Sequence, residues 1–271
     1  MWEQTSDDGV VVARFGDPPR SYFTEAAVGE LAEMVREWAD PGVRAIVLAG
    51  SVPGIFITHF SAEEILSGLR RPDRLIADGP VRNHRVNAML QALTELPKPV
   101  VVALNGDAMG FGFELALACD IRIGQRGDHR YGLPEVRMGI LPGGGGTQRL
   151  ARMVGIGRAM DLILRARVLT PEEALAHGLV SMVVDDALDS AVALAHRLTE
   201  LAPVALAMAK RVLYQGADLS IGAALAIETD GSFRSKLAPG ALAAIERYVS
   251  LPEDQRRDWL DSERRASEPS K

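Results

Sequence analysis

The sequence has few of the residues that build covalent or metal-held frameworks. There is one cysteine, Cys119, and the five histidines (His59, His84, His129, His177, His196) are scattered. A single cysteine excludes an internal disulfide, and no Cys/His group has metal-ligand spacing, so no metal is expected. Cys119 ends the apolar run LALAC, where a buried, inert thiol is expected. None of the histidines sits in a G-x-S-x-G or similar nucleophile context. His84, His177 and His196 fall on helical stretches and read as surface or boundary residues, and His129, among Arg126, Asp128 and Arg130, reads as solvated. No stretch of about 18 uncharged apolar residues occurs, so no transmembrane helix and no membrane partner are expected. The acidic start MWEQTSDDGVVVARF lacks a basic segment followed by an apolar core, so it does not read as a signal peptide and a cytoplasmic location is expected. A net charge of −6 without a basic block argues against nucleic acid as the partner.

What is present is an ordinary globular balance, 47% hydrophobic and 24% charged, in 271 residues. Val- and Ile-rich runs alternate with helical patterns. Residues 10–13, 44–49, 100–104 and 121–124 read as strands, with 51–62 as a loop, 63–69 as a short helix and 66–82 as a polar, mobile segment. Thr24 reads as the N-cap of a helix whose Val28, Leu31, Met34, Val35 and Trp38 share a face. Residues 84–96 read as another helix, broken by Pro97 and Pro99, and 105–106 as a turn. Strands alternating with helices predict an α/β fold with a largely parallel sheet. Beyond residue 150 helix dominates. Thr170-Pro171-Glu172-Glu173 is a helix start, Gly178 a helix end and 179–184 a short strand, and four more helical patterns follow from 187 to 250. The predicted layout is an α/β core over residues 1–200 and a helical region over 201–271, with fraying expected after Leu260.

Three features could carry chemistry. NGDAMGFGFE (105–114) follows a buried strand and opens a helix, so its glycine turn presents N–H groups and the positive end of a helix dipole. That suits an anion or a developing oxyanion, although a plain strand-to-helix turn has the same look. It is neither a Rossmann fingerprint nor a P-loop. LPEVRMGILPGGGGTQRL (133–150) leaves the backbone bare at Gly143–Gly146 just before a helix and places Glu135 in a loop; a flexible surface loop is the plainer alternative. Glu114 is a lone carboxylate entering the apolar LALAC, where burial would raise its pKa toward the range of a general acid or base. It could equally be a helix-start glutamate held by the dipole.

Together, NGDAMGFGFELALACD and LPEVRMGILPGGGGTQRL resemble the enoyl-CoA hydratase/isomerase (crotonase) superfamily. VRAIVLAGSVPGIF, KPVVVALNG and TPEEALAHGLV are also similar to it and come in the family's order, so the resemblance covers about residues 8–235. It implies a crotonase-like fold of repeated ββα units with a helical C-terminal region that supports trimers or hexamers. It also implies acyl-CoA thioester substrates, with coenzyme A entering as part of the substrate and no separate cofactor. By motif position the oxyanion hole would be the backbone N–H groups of Phe60 and Phe111. The reaction implied is syn addition of water to a 2-enoyl-CoA. Glu114 would activate the water, Glu135 would exchange the C2 proton, and the Gly143 N–H would help to place the water. Arg20, Thr58, His59, Ser61 and Gly110 fall where the resemblance implies contact with CoA or substrate, although Arg20 reads equally well as a solvated loop arginine and His59 as a loop substitution that points away.

The chain departs from the family pattern at several points. His59 stands where glycine is usual, Ser61 where aspartate is usual, and Phe111 in the middle of a usual glycine triplet. Ala244 and Tyr248 replace a frequent aromatic and a frequent basic residue. A side chain at 111 could change the backbone there or narrow the acyl pocket. These departures leave open isomerisation, retro-Claisen cleavage or thioester hydrolysis on the same scaffold, and also a non-catalytic acyl-CoA-binding relative.

Overall fold

Runs that are apolar at every position are covered on both faces. In the computed structural model, which describes residues 1–261, this holds for β3 (Ala45–Gly50) and β5 (Val100–Leu104), both fully buried. With β1 (Trp2–Asp7), β2 (Val10–Phe15), β7 (Ile121–Gln125) and β10 (Met182–Val184) they form a six-stranded sheet in the order β1-β2-β3-β5-β7-β10. Only the β1–β2 hairpin is antiparallel; the other pairings are parallel. Alternate side chains face opposite ways. Ile46, Leu48, Val100 and Val102 point into the main core, while Ala45, Val47, Val101 and Ala103 meet Ala187, Ala191 and Leu194 of the helix α9 (Ala187–Thr199).

A second sheet, β4-β6-β8-β9, joins β4 (Gly54–Ile57), β6 (Gly106–Met109), β8 (Tyr131–Gly132) and β9 (Val168–Leu169). Each repeat sends its first strand to the large sheet and its second to the small one: β3 then β4, β5 then β6, β7 then β8. Helices follow: α2 (Ala62–Leu69), α3 (Pro72–Asp78) and α4 (Val81–Glu95) after β4, α5 (Phe111–Ala118) after β6, and α6 (Gly146–Val154) after β8. This is the repeated ββα architecture. α1 (Glu25–Glu37) starts at the predicted cap, Thr24, whose side chain accepts from the Ala27 N–H, and it buries Val28, Leu31, Met34 and Val35. α7 (Ile156–Leu164) leads to β9, and α8 (Pro171–Ala176) begins with a full capping box between Thr170 and Glu173. Cys119 is buried, as its apolar run predicts.

Three local expectations are corrected. The 51–62 loop contains β4, and the 105–106 turn is the start of β6. These strands lie so close that a Cβ on Gly106 would sit 2.0 Å from the Gly54 carbonyl carbon, so the glycine that reads as a turn allows two backbones to touch. The short helix read at 63–69 is α2, but the rest of 66–82 carries all of α3 and the start of α4, with Pro72 setting the backbone at the first position of α3.

The chain divides into Met1–Glu200 and a unit that begins at Leu201. The latter comprises α10 (Pro203–Gly216), α11 (Ile221–Leu237), α12 (Pro239–Ser250) and α13 (Glu253–Leu260). Within it Tyr248 packs on Trp259 at 5.5 Å between ring centroids, and the Arg256 guanidinium lies over the Tyr248 ring. The fraying expected after Leu260 falls on 262–271, outside the described residues. Among the described residues no single helix is long and apolar enough to cross a membrane, and no group of three or more His, Cys, Asp or Glu could hold a metal.

Candidate active site

The β6–α5 connection is a single residue, Gly110. Gly110 caps α5 with φ 52°, a torsion that suits glycine, and its N–H donates to the Gly132 carbonyl at 2.9 Å. Because Gly110 takes that torsion, Phe111 is not among the residues with positive φ. Gly112 must lack a side chain, since a Cβ there would lie 2.2 Å from the Ile57 carbonyl oxygen. The close approach of α5 to β4 follows. As the first residue of α5, Phe111 has an N–H with no intrahelical acceptor.

Glu114 lies one turn into this helix and is 3% exposed. Its Oε1 accepts the N–H groups of Gly144 and Gly146, each at 2.8 Å. Burial raises its pKa, and these two bonds and the charge of Arg149 pull the other way. The glycine run is therefore a cradle for this carboxylate: a Cβ on Gly146 would sit 2.8 Å from its Cγ and Oε1. Gly143 contributes its carbonyl oxygen to Asn83 (3.0 Å) and Asn87 (3.4 Å), which share one face of α4. Sequence reasoning singled out the glycine run but not which of its N–H groups face Glu114, nor the two asparagines.

Glu135 opens a 3-10 turn, Glu135–Met138, rather than lying in an open loop, and it is 7% exposed. Burial raises its pKa to about 7, and the charge of Glu114 adds to the rise. Its Oε2 is buried without a hydrogen-bond partner among the described residues. A neutral carboxyl group tolerates that position far better than an ionised one.

Phe60 reaches the site through a bridge to Phe23. The Phe23 N–H donates to the His59 carbonyl at 2.9 Å, and the Ser61 N–H donates to the Phe23 carbonyl at 2.7 Å. In a parallel pairing this turns the N–H of the intervening residue, Phe60, to the opposite side.

Glu114, Glu135, Phe60, Phe111 and Gly143 all line one cavity of about 1090 Å³, walled on its far side by α2, α3 and the start of α4. Gly110 touches it indirectly, for a Cβ there would sit 3.1 Å from Glu135 Oε1. The structure does not bring Arg20, Thr58, His59 or Ser61 to its wall. Arg20 is exposed, and its carbonyl accepts the Thr58 hydroxyl. His59 stacks on Tyr22 at 4.8 Å and places Nδ1 2.6 Å from the Phe60 carbonyl oxygen, which can only accept, so Nδ1 carries the proton. Ser61 caps α2, accepting from the Glu64 N–H and donating to Glu63. Chemically, the cavity holds two carboxyl groups of raised proton affinity, an arrangement that suits proton transfer near neutral pH.

A family model described as enoyl-CoA hydratase/isomerase matches residues 5–236. The chain is 39% identical over 196 residues to the mitochondrial methylglutaconyl-CoA hydratase of Rattus norvegicus, covering 70% of this chain and 60% of that protein. It thus spans about three fifths of that relative's length. It is 33% identical to a probable enoyl-CoA hydratase of Bacillus subtilis, covering 82% of this chain and 85% of the relative. The solved enoyl-CoA hydratase of Bacillus anthracis superposes with a TM-score of 0.83 at 26% identity, covering 91% of this chain and 95% of that one. With the ββα repeats and the paired glutamates in their motifs, the chain belongs to the enoyl-CoA hydratase/isomerase family.

Proposed function

We propose that the protein is a 2-enoyl-CoA hydratase that adds water syn across the 2,3 double bond of an acyl-CoA thioester. The observation that carries the reading is the presence of two buried glutamates, both of raised proton affinity, in one cavity. An isomerase needs only one carboxylate to carry a proton between carbons. Water addition needs a base for the water and an acid for C2.

In this reading ionised Glu114, held by Gly144 and Gly146, takes a proton from water as the oxygen attacks C3. The double-bond electrons move to the thioester oxygen, which the N–H groups of Phe60 and Phe111 receive. The enolate then collapses and C2 takes the proton of neutral Glu135, whose raised pKa keeps that proton available near neutrality. Solvent exchange returns both glutamates to their starting states. The Gly143 N–H helps to place the water. Coenzyme A enters as part of the substrate, and no other cofactor is required. The exposed Leu213, Ile221, Leu242 and Ile245 of the helical unit support assembly into homotrimers or hexamers.

Purified protein is mixed with crotonyl-CoA and longer 2-enoyl-CoAs, and loss of the enoyl absorbance is followed. Turnover that falls by about 10²-fold or more in both Glu114→Gln and Glu135→Gln is expected. Binding of the thioesters without turnover at any chain length refutes the proposal. Turnover that survives Glu114→Gln but not Glu135→Gln identifies a one-carboxylate reaction instead.

A further inference from the structure

Both proposed oxyanion donors carry large aromatic side chains, and the rings are in contact. Phe60 and Phe111 meet edge to face, 6.1 Å between centroids at 79°. Phe111 stacks on Phe23 at 4.4 Å and 25°. Phe23, fully buried, packs in turn on Phe15 at 4.9 Å and on Trp2 at 6.2 Å. Phe111 is 4% exposed, so its ring is seated in the core and does not fill the cavity.

Phe23 occupies a special place in this cluster. Its backbone N–H and carbonyl hold the residues on either side of Phe60, which sets the direction of the Phe60 N–H. Its ring holds the ring of Phe111, the residue that carries the other N–H. One residue therefore braces both donors, by hydrogen bonds to the two neighbours of Phe60 and by stacking on Phe111. The same backbone bond acts on the reacting peptide unit, since the Phe23 N–H donates to the carbonyl of the His59–Phe60 peptide and polarises it. The His59 ring, bonded to the next carbonyl and stacked on Tyr22, adds a further restraint on the Phe60 side.

We propose that Phe23, Phe60 and Phe111 form an aromatic rack that fixes the separation and aim of the two oxyanion N–H groups, making Phe60 and Phe111 positioning residues through their rings as well as donors through their backbones. The inference rests on the hydratase reading. Backbone donors act at full strength only when they are held at the position the oxyanion will occupy, and loosening them lowers kcat more than it weakens ground-state binding. A leucine at either position keeps the N–H and the apolar character but removes the ring contact.

The test is the infrared carbonyl stretch of bound butanoyl-CoA labelled with ¹³C at the thioester carbon, a saturated ligand that cannot be hydrated. It is recorded for the wild type, Phe60→Leu, Phe111→Leu and the double variant, alongside kcat and KM with crotonyl-CoA. In the wild type the stretch should move to lower frequency on binding. Each single variant should lose a large part of that shift and drop roughly tenfold in kcat with little change in KM, below the 10²–10³-fold cost of deleting a donor outright. The double variant should be little worse than Phe111→Leu alone, because Phe111→Leu already removes the Phe60–Phe111 contact together with the Phe23 stack. Phe60, half-buried at the cavity wall, keeps the test valid should Phe111→Leu not fold. Single variants with the full wild-type shift and unchanged kcat overturn the rack, and so do variants that raise KM alone. A wild type that binds butanoyl-CoA without any shift overturns the hydratase reading together with the rack.

Discussion

Replacing Glu135 by glutamine should stabilise the protein above neutral pH while removing its activity. Glu135 is 7% exposed, and burial raises its pKa from the usual 4.5 to about 7. Between those values the folded chain holds a proton that the unfolded chain has released. Stability therefore falls as pH rises from about 4.5 to about 7 and stays lower above that. A gap from 4.5 to about 7, at about 1.36 kcal/mol for each tenfold change in proton affinity, amounts to about 3 kcal/mol. Glutamine has the size of the neutral acid and does not ionise. Glu135→Gln should match the wild type within about 1 kcal/mol at pH 4.5 and exceed it by up to about 3 kcal/mol at pH 8. Urea unfolding at pH 4.5, 6, 7 and 8, followed by the fluorescence of the buried Trp38, reads this directly. A gain of about 1 M or more in the midpoint at pH 8 is expected, at the usual slopes of about 1–3 kcal/mol/M. A difference between variant and wild type that is the same at every pH refutes the reasoning, because it would place the Glu135 carboxyl in water.

Further consequences concern activity, assembly and the remaining fold. If neutral Glu135 supplies the C2 proton, kcat/KM for hydration should fall tenfold per pH unit above about pH 7, and this limb should vanish from the residual activity of Glu135→Gln. Gly146→Ala puts a methyl group 2.8 Å from Glu114 Cγ, so it should lower kcat by about 10-fold or more and cost about 1–3 kcal/mol in urea unfolding. Thr170→Ala removes one half of the α8 capping box and should cost about 1 kcal/mol without altering kcat or KM. Light scattering coupled to gel filtration should give a mass three or six times the 29.2 kDa of one chain.

Much of this site could be read from the sequence because its chemistry depends on local pattern. A carboxylate entering LALAC had to be buried or paired, and Glu114 is both buried and hydrogen-bonded. Val100–Leu104 is apolar at every position because sheet and helix cover both faces, and it appears as a strand with the expected limits. Less legible were elements whose stability comes from distant partners. β1 is polar and largely exposed, and it exists because it pairs with β2 along its whole length. β4 (Gly54–Ile57) and β6 (Gly106–Met109) are only four residues each and begin with a glycine that reads as a turn, so they are too short for a strand pattern to stand out. The direct contact between Phe60 and Phe111 joins a loop to the start of α5 far along the chain, with Phe23 stacked on Phe111, and no sequence period records it. Thr58, His59 and Ser61 are expected near substrate from the resemblance, but their side chains bond the Arg20 carbonyl, the Phe60 carbonyl and the start of α2, an outcome of rotamers that spacing does not determine.

The central claim, two glutamates acting on one side of a bound enoyl thioester, is tested most directly by the stereochemistry of addition. Crotonyl-CoA is hydrated in D₂O and the 3-hydroxybutanoyl product is examined by NMR at early conversion. The proposed syn addition, with Glu114 and Glu135 both acting from the one cavity they line, predicts a single deuterium at C2 on the face that received the hydroxyl oxygen. Deuterium on the opposite face, or spread over both faces at early conversion, would contradict the account.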